Sequence, residues 1–288
     1  MELAYMSMNT ENGTQPAELA RALEERGYDS VWFGEHAEIP VRRATPYPAG
    51  GELPEAYSHM MDPFVSLMAA AAATTRLRLG TGVCLVLEHD VLALAKTVAT
   101  LDRLSNGRVI FGVGVGWNVE ELANHAPGIK WSQRYRALKE RCAALVACWT
   151  EEQPAVDGEF TRFEASWVYP KPHQQPHPQI TMGAAGRLGM RHAAEWCQGW
   201  CPIDVGFREV EKGLARFAAA CDAAGKDPAA FEISLYVFGQ PEEDKLRRYA
   251  DLGIHRAVLG GARPDMDDPA ATLPFLDRYA KLIPDLKR

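Results

Sequence analysis

Residues 111–118 read Phe-Gly-Val-Gly-Val-Gly-Trp-Asn. Glycines at 112, 114 and 116 lack a Cβ, so backbone N–H groups there can approach a ligand closely and line an anion-binding concavity. The same spacing serves a tight turn that needs only positive φ, and the segment alone leaves both readings open. A second glycine-rich run, Gly183-Ala184-Ala185-Gly186-Arg187, opens a helical pattern. The N–H groups and dipole of a helix start favour a phosphate. A third, Gly260-Gly261-Ala262-Arg263, follows the last strand pattern, a common phosphate position in barrels. Together they suggest a phosphorylated ligand without naming it. Two histidines also follow strand patterns, His36 beside Glu35 and His89 beside Glu88. An imidazole there can exchange protons near neutral pH; the competing reading is a packed or solvent-facing ring. A metal-dependent hydrolase of this architecture needs a His-x-His pair with further ligands. The chain has no His-x-His, so no metal is expected.

These residues need regular elements to present them, and the pattern alternates strand and helix almost from end to end. Strands are expected at Leu3–Met8, Ser30–Phe33, Leu77–Gly80, Val109–Val113, Gln179–Met182, Gly199–Cys201, Glu232–Val237 and Arg256–Leu259. Thr14 is placed to cap the first helix, with Pro16 in its first turn and Gly27 past its end. Further helices are expected at Pro63–Thr74, Val91–Leu104, Gln133–Trp149, Leu188–Trp196, Phe207–Ala224, Glu242–Leu252 and Ala271–Ile283. In the helix from Val91, the residues Leu94, Ala95, Val98 and Leu101 recur at helical spacing. Eight such units with short strands predict an α/β fold, a closed (β/α)8 barrel. An open dinucleotide-binding sheet would show Gly-x-Gly-x-x-Gly after strand one, where this chain has Asn9-Thr10-Glu11-Asn12-Gly13. Two connections exceed simple loops, Ala37–His59 and Thr150–His177, and long connections are often lids or added elements. In the second, Ala155–Phe163 and Ala165–Tyr169 are expected to form a hairpin through Asp157-Gly158. Side chains just past barrel strands face the active site, which adds Asn9, Gly82, Val83, Asn118 and Asp204 to the candidates.

Composition narrows the function classes. Lys and Arg total 31 against 38 Asp and Glu, a net charge of −7 over 288 residues. That balance argues against a nucleic-acid or anionic-membrane binder, which needs surplus positive charge. Of the six cysteines none forms Cys-x-x-Cys, and reduced, buried thiols in a cytoplasmic protein are expected. No signal peptide pattern opens the chain and no apolar run is long enough to span a bilayer.

Several motifs then coincide. Gly-Tyr-Asp-Ser-Val-Trp-Phe-Gly-Glu-His at 27–36 resembles the second-strand segment of the luciferase-like oxidoreductases. So do Thr-Thr-Arg-Leu-Arg-Leu-Gly-Thr-Gly-Val at 74–83, Leu-Ala-Lys-Thr-Val-Ala-Thr-Leu-Asp-Arg-Leu-Ser-Asn-Gly-Arg at 94–108 and Gly-Val-Gly-Val-Gly-Trp at 112–117. Pro-Lys-Pro-His-Gln-Gln-Pro-His-Pro-Gln-Ile at 170–180 is similar to the family's return into strand five. The resemblance runs in order over nearly the whole chain and is nearest to the branch that uses the deazaflavin coenzyme F420. It implies one luciferase-like barrel domain over residues 1–288.

The resemblance also implies a flavin or deazaflavin at the C-terminal mouth. A non-prolyl cis peptide at Gly82–Val83 would press the backbone against one ring face. The family's phosphate contacts carry over to Gly114, Val115, Gly116 and Trp117 and to Gly183, Ala184, Ala185, Gly186 and Arg187. His36 becomes the candidate proton donor or acceptor, with Asn9, Glu35, Arg42, Arg43 and His89 on the substrate side. Arg42 and Arg43 suit a cofactor tail, an acidic substrate or plain solvation. One related group of sugar-phosphate dehydrogenases has Trp four residues after this histidine and Glu after the strand-four glycines. Here those positions are Pro40 and Trp117, so that group's substrate and proton relay are not transferred. The expected activity is hydride transfer between coenzyme F420 and a small organic substrate. The alternatives are an FMN-dependent luciferase-like monooxygenase and, from another class, a non-catalytic flavin- or ligand-binding protein. A homodimer through helices two and three is expected from the resemblance.

Overall fold

The computed structural model describes residues 1–261 and 268–287. In chain order its elements begin with β1 (Glu2–Ser7), α1 (Pro16–Glu25), β2 (Ser30–Phe33), α2 (Pro63–Ala73), β3 (Arg78–Thr81), α3 (Val91–Leu104) and β4 (Val109–Val113). There follow α4 (Val119–His125), α5 (Arg134–Thr150), β5 (Val156–Asp157), β6 (Arg162–Phe163), β7 (Gln179–Met182), α6 (Arg187–Trp196) and β8 (Gly199–Trp200). The chain ends through α7 (Val210–Ala223), β9 (Glu232–Tyr236), α8 (Glu243–Asp251), β10 (Arg256–Leu259), α9 (Pro269–Ala280) and α10 (Ile283–Leu286). Strands β1, β2, β3, β4, β7, β8, β9 and β10 close in that order into a parallel barrel. The expected (β/α)8 barrel is present, with all eight strands where the periodicity put them to within a few residues.

Its strands are short and apolar because both faces are buried. Outward-facing side chains such as Leu3, Val31, Leu79, Val109 and Ile180 pack under the helices. Inward, Ala4, Trp32, Ile110, Cys201, Tyr236 and Val258 fill the barrel interior. Trp32 is wholly buried, and its indole N–H donates to Ser30 Oγ at 2.9 Å. At the N-terminal end Arg256, 3% exposed, bonds Asp29, Glu232 and Ser234 and closes the barrel floor with ion pairs. All six cysteines are buried and unbridged. Among the described residues no helix is long and apolar enough to cross a membrane.

Three local expectations need correction, and one helix was not anticipated. Thr14 does not cap α1: Gln15 is the N-cap, no side chain caps the helix, and Thr14 Oγ1 is buried without a partner. Pro16 at the first helical position needs no N–H acceptor, which removes part of the demand for a cap. The hairpin between α5 and β7 forms inside residues 155–163 alone, with Val156 opposite Phe163 and Asp157 opposite Arg162. Residues 165–169 lie outside it, and Ser166 N–H instead donates to Pro154 O. The last helix starts earlier and breaks sooner than Ala271–Ile283, because Asp268 caps Ala270 N–H and Pro284 begins the separate turn α10. Finally, α4 was not read from the sequence, though Asn118 caps it through bonds from Glu120 and Glu121 N–H.

The Pro-rich return to β7 is held by one buried carboxylate. Asp102 on α3 is fully buried and accepts from His173 N–H, Gln174 N–H, Gln174 Nε2 and Val109 N–H at 2.7–3.4 Å. Alanine there leaves those donors buried and unpaired, and each such loss is costly. Asp102→Ala is expected to lower the unfolding free energy by ~3 kcal/mol, read from urea melts. A loss under ~1 kcal/mol would mean that water replaces the carboxylate.

Candidate active site at the barrel mouth

The peptide bond Gly82–Val83, just past β3, is cis, as the resemblance implies. Val83 is wedged between two neighbouring strand ends. A Cβ on Gly114 would lie 2.4 Å from Val83 Cγ2, and one on Gly183 would lie 2.4 Å from Val83 Cγ1. Both positions therefore need glycine for close approach. This gives part of the glycine pattern a packing role. Gly116 adds a turn role, with φ +66.

In front of Val83 lies an apolar cavity of about 220 Å3, lined by Met6, Gly82, Val83, Gly183, Ala184, Ala185, Cys201, Ile203, Tyr236 and Phe238. Ala185 also lines a wider groove of about 800 Å3 between α6 and α7, carrying Arg187, Arg191 and Arg216. Arg191 pairs with Glu195 at 3.6 Å. Arg187 and Arg216 have no ion-pair partner among the described residues. Gly186 is the N-cap of α6 and no side chain caps that helix, so its first N–H groups and the two arginines leave an electropositive exit. Apolar walls beside a helix start and free guanidinium groups fit a flat aromatic ring with an anionic tail.

On the other side of the mouth His36 is clamped at both ring nitrogens. Its Nδ1–H donates to the Glu121 carboxylate at 2.8–2.9 Å, and its Nε2 accepts from the Trp117 indole N–H at 3.2 Å. The partners thus fix the neutral tautomer, with the lone pair on Nε2. Glu121, on α4, is fully buried. Tyr57 and Trp117 pack on the imidazole and Tyr47 packs on both of them, with ring centroids 5.3–6.2 Å apart. The two tyrosines come from the long connection after β2, which is tied to α4 by bonds from Ala44 and Thr45 N–H to Glu120. That connection is therefore a cover over His36.

A second imidazole–carboxylate pair lies beside the first. Glu35, 7% exposed, accepts from His89 Nε2 at 2.7 Å and from Leu85 N–H at 2.6 Å. Burial works against the charge of His89, but its bond to Glu35 and the charges of Glu35 and Asp62 together outweigh this and raise its pKa. Neither Glu88 nor His89 caps α3; Asp90 does. Glu35, Cys84 and His89 are close enough to share an ion. The Glu35 oxygens, however, are taken by His89 and the Leu85 amide, and burial raises the Cys84 thiol well above its usual range. Between the two pairs sits Glu88, whose Oε2 is buried without a partner. Burial, then the facing carboxylates of Glu121, Glu35 and Glu38, push its pKa up to about 9.

The other candidates fall elsewhere. Asn9 is buried, has φ +56 and donates to Met61 O. Arg42 is exposed, and Arg43 lines a groove within the connection after β2, away from the apolar cavity. Asp204 is buried against Lys245 and the Phe238 amide. Arg263 lies outside the described residues. The sequence reading missed Glu121, Tyr47, Tyr57, Tyr236 and Arg216. For Glu121 a signal was present, because Asn118-Val-Glu-Glu is a helix-start pattern with an acid three residues after the cap.

A model of the luciferase-like monooxygenase family matches residues 2–280. An uncharacterized protein of Mycobacterium tuberculosis is 41% identical over 97% of this chain and 98% of its own. The F420-dependent hydroxymycolic acid dehydrogenase of the same species is 27% identical over 81% of this chain and 61% of its own length. Among solved structures the monooxygenase RslO1 from Streptomyces bottropensis superposes with a TM-score of 0.76 at 21% identity, covering all of both chains.

The raised pKa of Glu88 has a consequence for stability. Unfolded, a glutamate loses its proton near 4.5; folded, Glu88 holds it to about 9. The folded state binds more protons in that window, so this group lowers stability as pH rises from 4.5 to 9. Glu88→Gln stays neutral and escapes the loss. Its melting temperature is expected to gain on the wild type steadily from pH 5 to pH 9, by scanning calorimetry. A constant gap would mean that the carboxyl is ionised when folded.

Proposed function

The chain belongs to the luciferase-like monooxygenase family, and on that premise we propose that it transfers a hydride between coenzyme F420 and a small organic substrate at the barrel mouth. The observation that carries this reading is that Ala185 lines both the apolar cavity under Val83 and the arginine-bearing groove. An FMN tail ends at a phosphate, whereas the deazaflavin tail continues into a lactyl-glutamate chain, so an extended basic exit favours the latter. The 27%-identical relative named for F420 dependence points the same way.

When bound, the deazaflavin supplies the hydride chemistry. The chain supplies the rest. Gly82 and Val83 form one wall for the ring, and the N–H groups from Gly183 to Arg187 take the phosphate. Arg187 and Arg216 neutralise the tail. His36 handles the proton. With Nδ1–H committed to Glu121, its Nε2 takes a proton from a substrate hydroxyl in one direction and returns it in the other. For that the substrate must replace the Trp117 indole at Nε2, so the aromatic cover has to open. Tyr57 stays a neutral donor, since burial and its bond with Tyr47 raise its pKa. A homodimer through α2 and α3 belongs to the same reading; Val65 and Leu104 are their exposed apolar residues.

Fluorescence titration with F420 and, separately, FMN tests the cofactor. Micromolar F420 binding with much weaker FMN binding is expected; preference for FMN would place the chain with the monooxygenases instead. With a substrate from a screen, His36→Ala is expected to lower kcat by ~10²–10³-fold while F420 affinity holds. An unchanged kcat would remove the proton role.

A further inference from the structure

Tyr236 ends β9 at the floor of the apolar cavity. Its ring packs edge-on against Trp32 in the barrel interior, with centroids 5.7 Å apart at 79°. The residue is 4% exposed, and its hydroxyl has no hydrogen-bond partner. Among the described residues lining the cavity, it alone carries an unpartnered buried polar atom. A Cβ on Gly82 would lie 2.4 Å from the hydroxyl oxygen. The hydroxyl therefore rests against the Gly82 backbone, where the filled barrel interior gives way to the cavity.

The placement is costly for a side chain that only fills space. A buried hydroxyl without a partner has lost its water without compensation, and phenylalanine would fill the same volume without that cost. The surroundings cannot satisfy it. Met6, Val83, Ile203 and Phe238 are apolar, and the Cys201 thiol is directed to Thr181 O at 3.9 Å. Burial, together with the nearby thiol, raises the phenol pKa well above its usual range, so the hydroxyl keeps its proton. What is missing is an acceptor, and the hydroxyl adjoins Gly82, which lines the cavity.

We propose that Tyr236 positions the ligand ring, its hydroxyl donating a hydrogen bond to a carbonyl oxygen on the pyrimidinedione edge of a flat heteroaromatic seated in the cavity. This rests on the preceding reading that the cavity holds a flavin-type ring. Such rings offer carbonyl acceptors at one edge, whereas a hydrocarbon occupant offers none. The bond forms only in the complex, so the free protein bears the cost of the unpaired hydroxyl and the complex is relieved of it. Tyr236 would then help fix which edge of the ring points down the barrel axis.

Tyr236→Phe separates a ligand contact from simple packing, because the two make opposite forecasts for the free and bound protein. The ligand-free variant is expected to melt at or above the wild-type temperature. Its Kd for whichever of F420 and FMN the wild type binds is expected to rise about tenfold. In infrared difference spectra of the complex, a ligand carbonyl band should move to higher wavenumber, a change that a purely structural role would not produce. A lower ligand-free melting temperature would overturn the proposal, because the hydroxyl would already be paired. Wild-type binding with an unchanged Kd and carbonyl band in the variant would overturn it alone. Wild-type protein that binds neither compound would overturn the cofactor reading, and this inference with it.

Discussion

The mouth of this barrel is organised around one steric demand, the seating of Val83. Its two γ-methyl groups occupy the space that side chains on Gly114 and Gly183 would need. The ends of β3, β4 and β7 are thereby keyed together, and their backbones come closer than any side chain there would allow. The apolar cavity is what remains in front of the valine. Its outer rim continues into the start of α6, and its floor is the Tyr236 ring that fills the barrel beneath.

Charge is divided across the mouth in a way the net value of −7 conceals. Carboxylates gather on the side of β2, β3 and α4, where Glu35 and Glu121 each hold an imidazole. Glu88 lies among them, and burial with the neighbouring carboxylates raises its pKa to about 9, which spares the cluster a buried charge there. On the side of α6 and α7 lie Arg187 and Arg216, which have no ion-pair partner among the described residues.

Connections outside the barrel complete the site. The segment after β2 carries Tyr47 and Tyr57 over His36 and is fastened to α4 through Glu120. The segment before β7 runs past α3 and is fastened by Asp102. Both use a carboxylate accepting backbone N–H groups, which positions irregular chain without a regular ladder.

The barrel was legible in the sequence because its signals are local. Period-two and period-3.6 apolar patterns with glycine and asparagine stops marked all eight strands, while the cis bond at Gly82–Val83 was implied only by the family resemblance. His36 and the glycine-rich strand ends were also marked, since their positions past strands follow from the same pattern. Tertiary structure decided what those residues touch. That Gly114 and Gly183 accommodate Val83, that Glu121 and Trp117 clamp His36, and that Arg216 from α7 joins Arg187 on α6 are contacts between segments tens of residues apart, or across the barrel. Residue type and local spacing carry no term for such distances. Short elements such as α4 and the β5–β6 hairpin were missed or misplaced for a related reason: a single turn has too few positions to display a period. The sequence by itself determined the barrel and where its mouth must be; only the closed fold decided which side of that mouth holds the imidazole–carboxylate pairs and which holds the arginines.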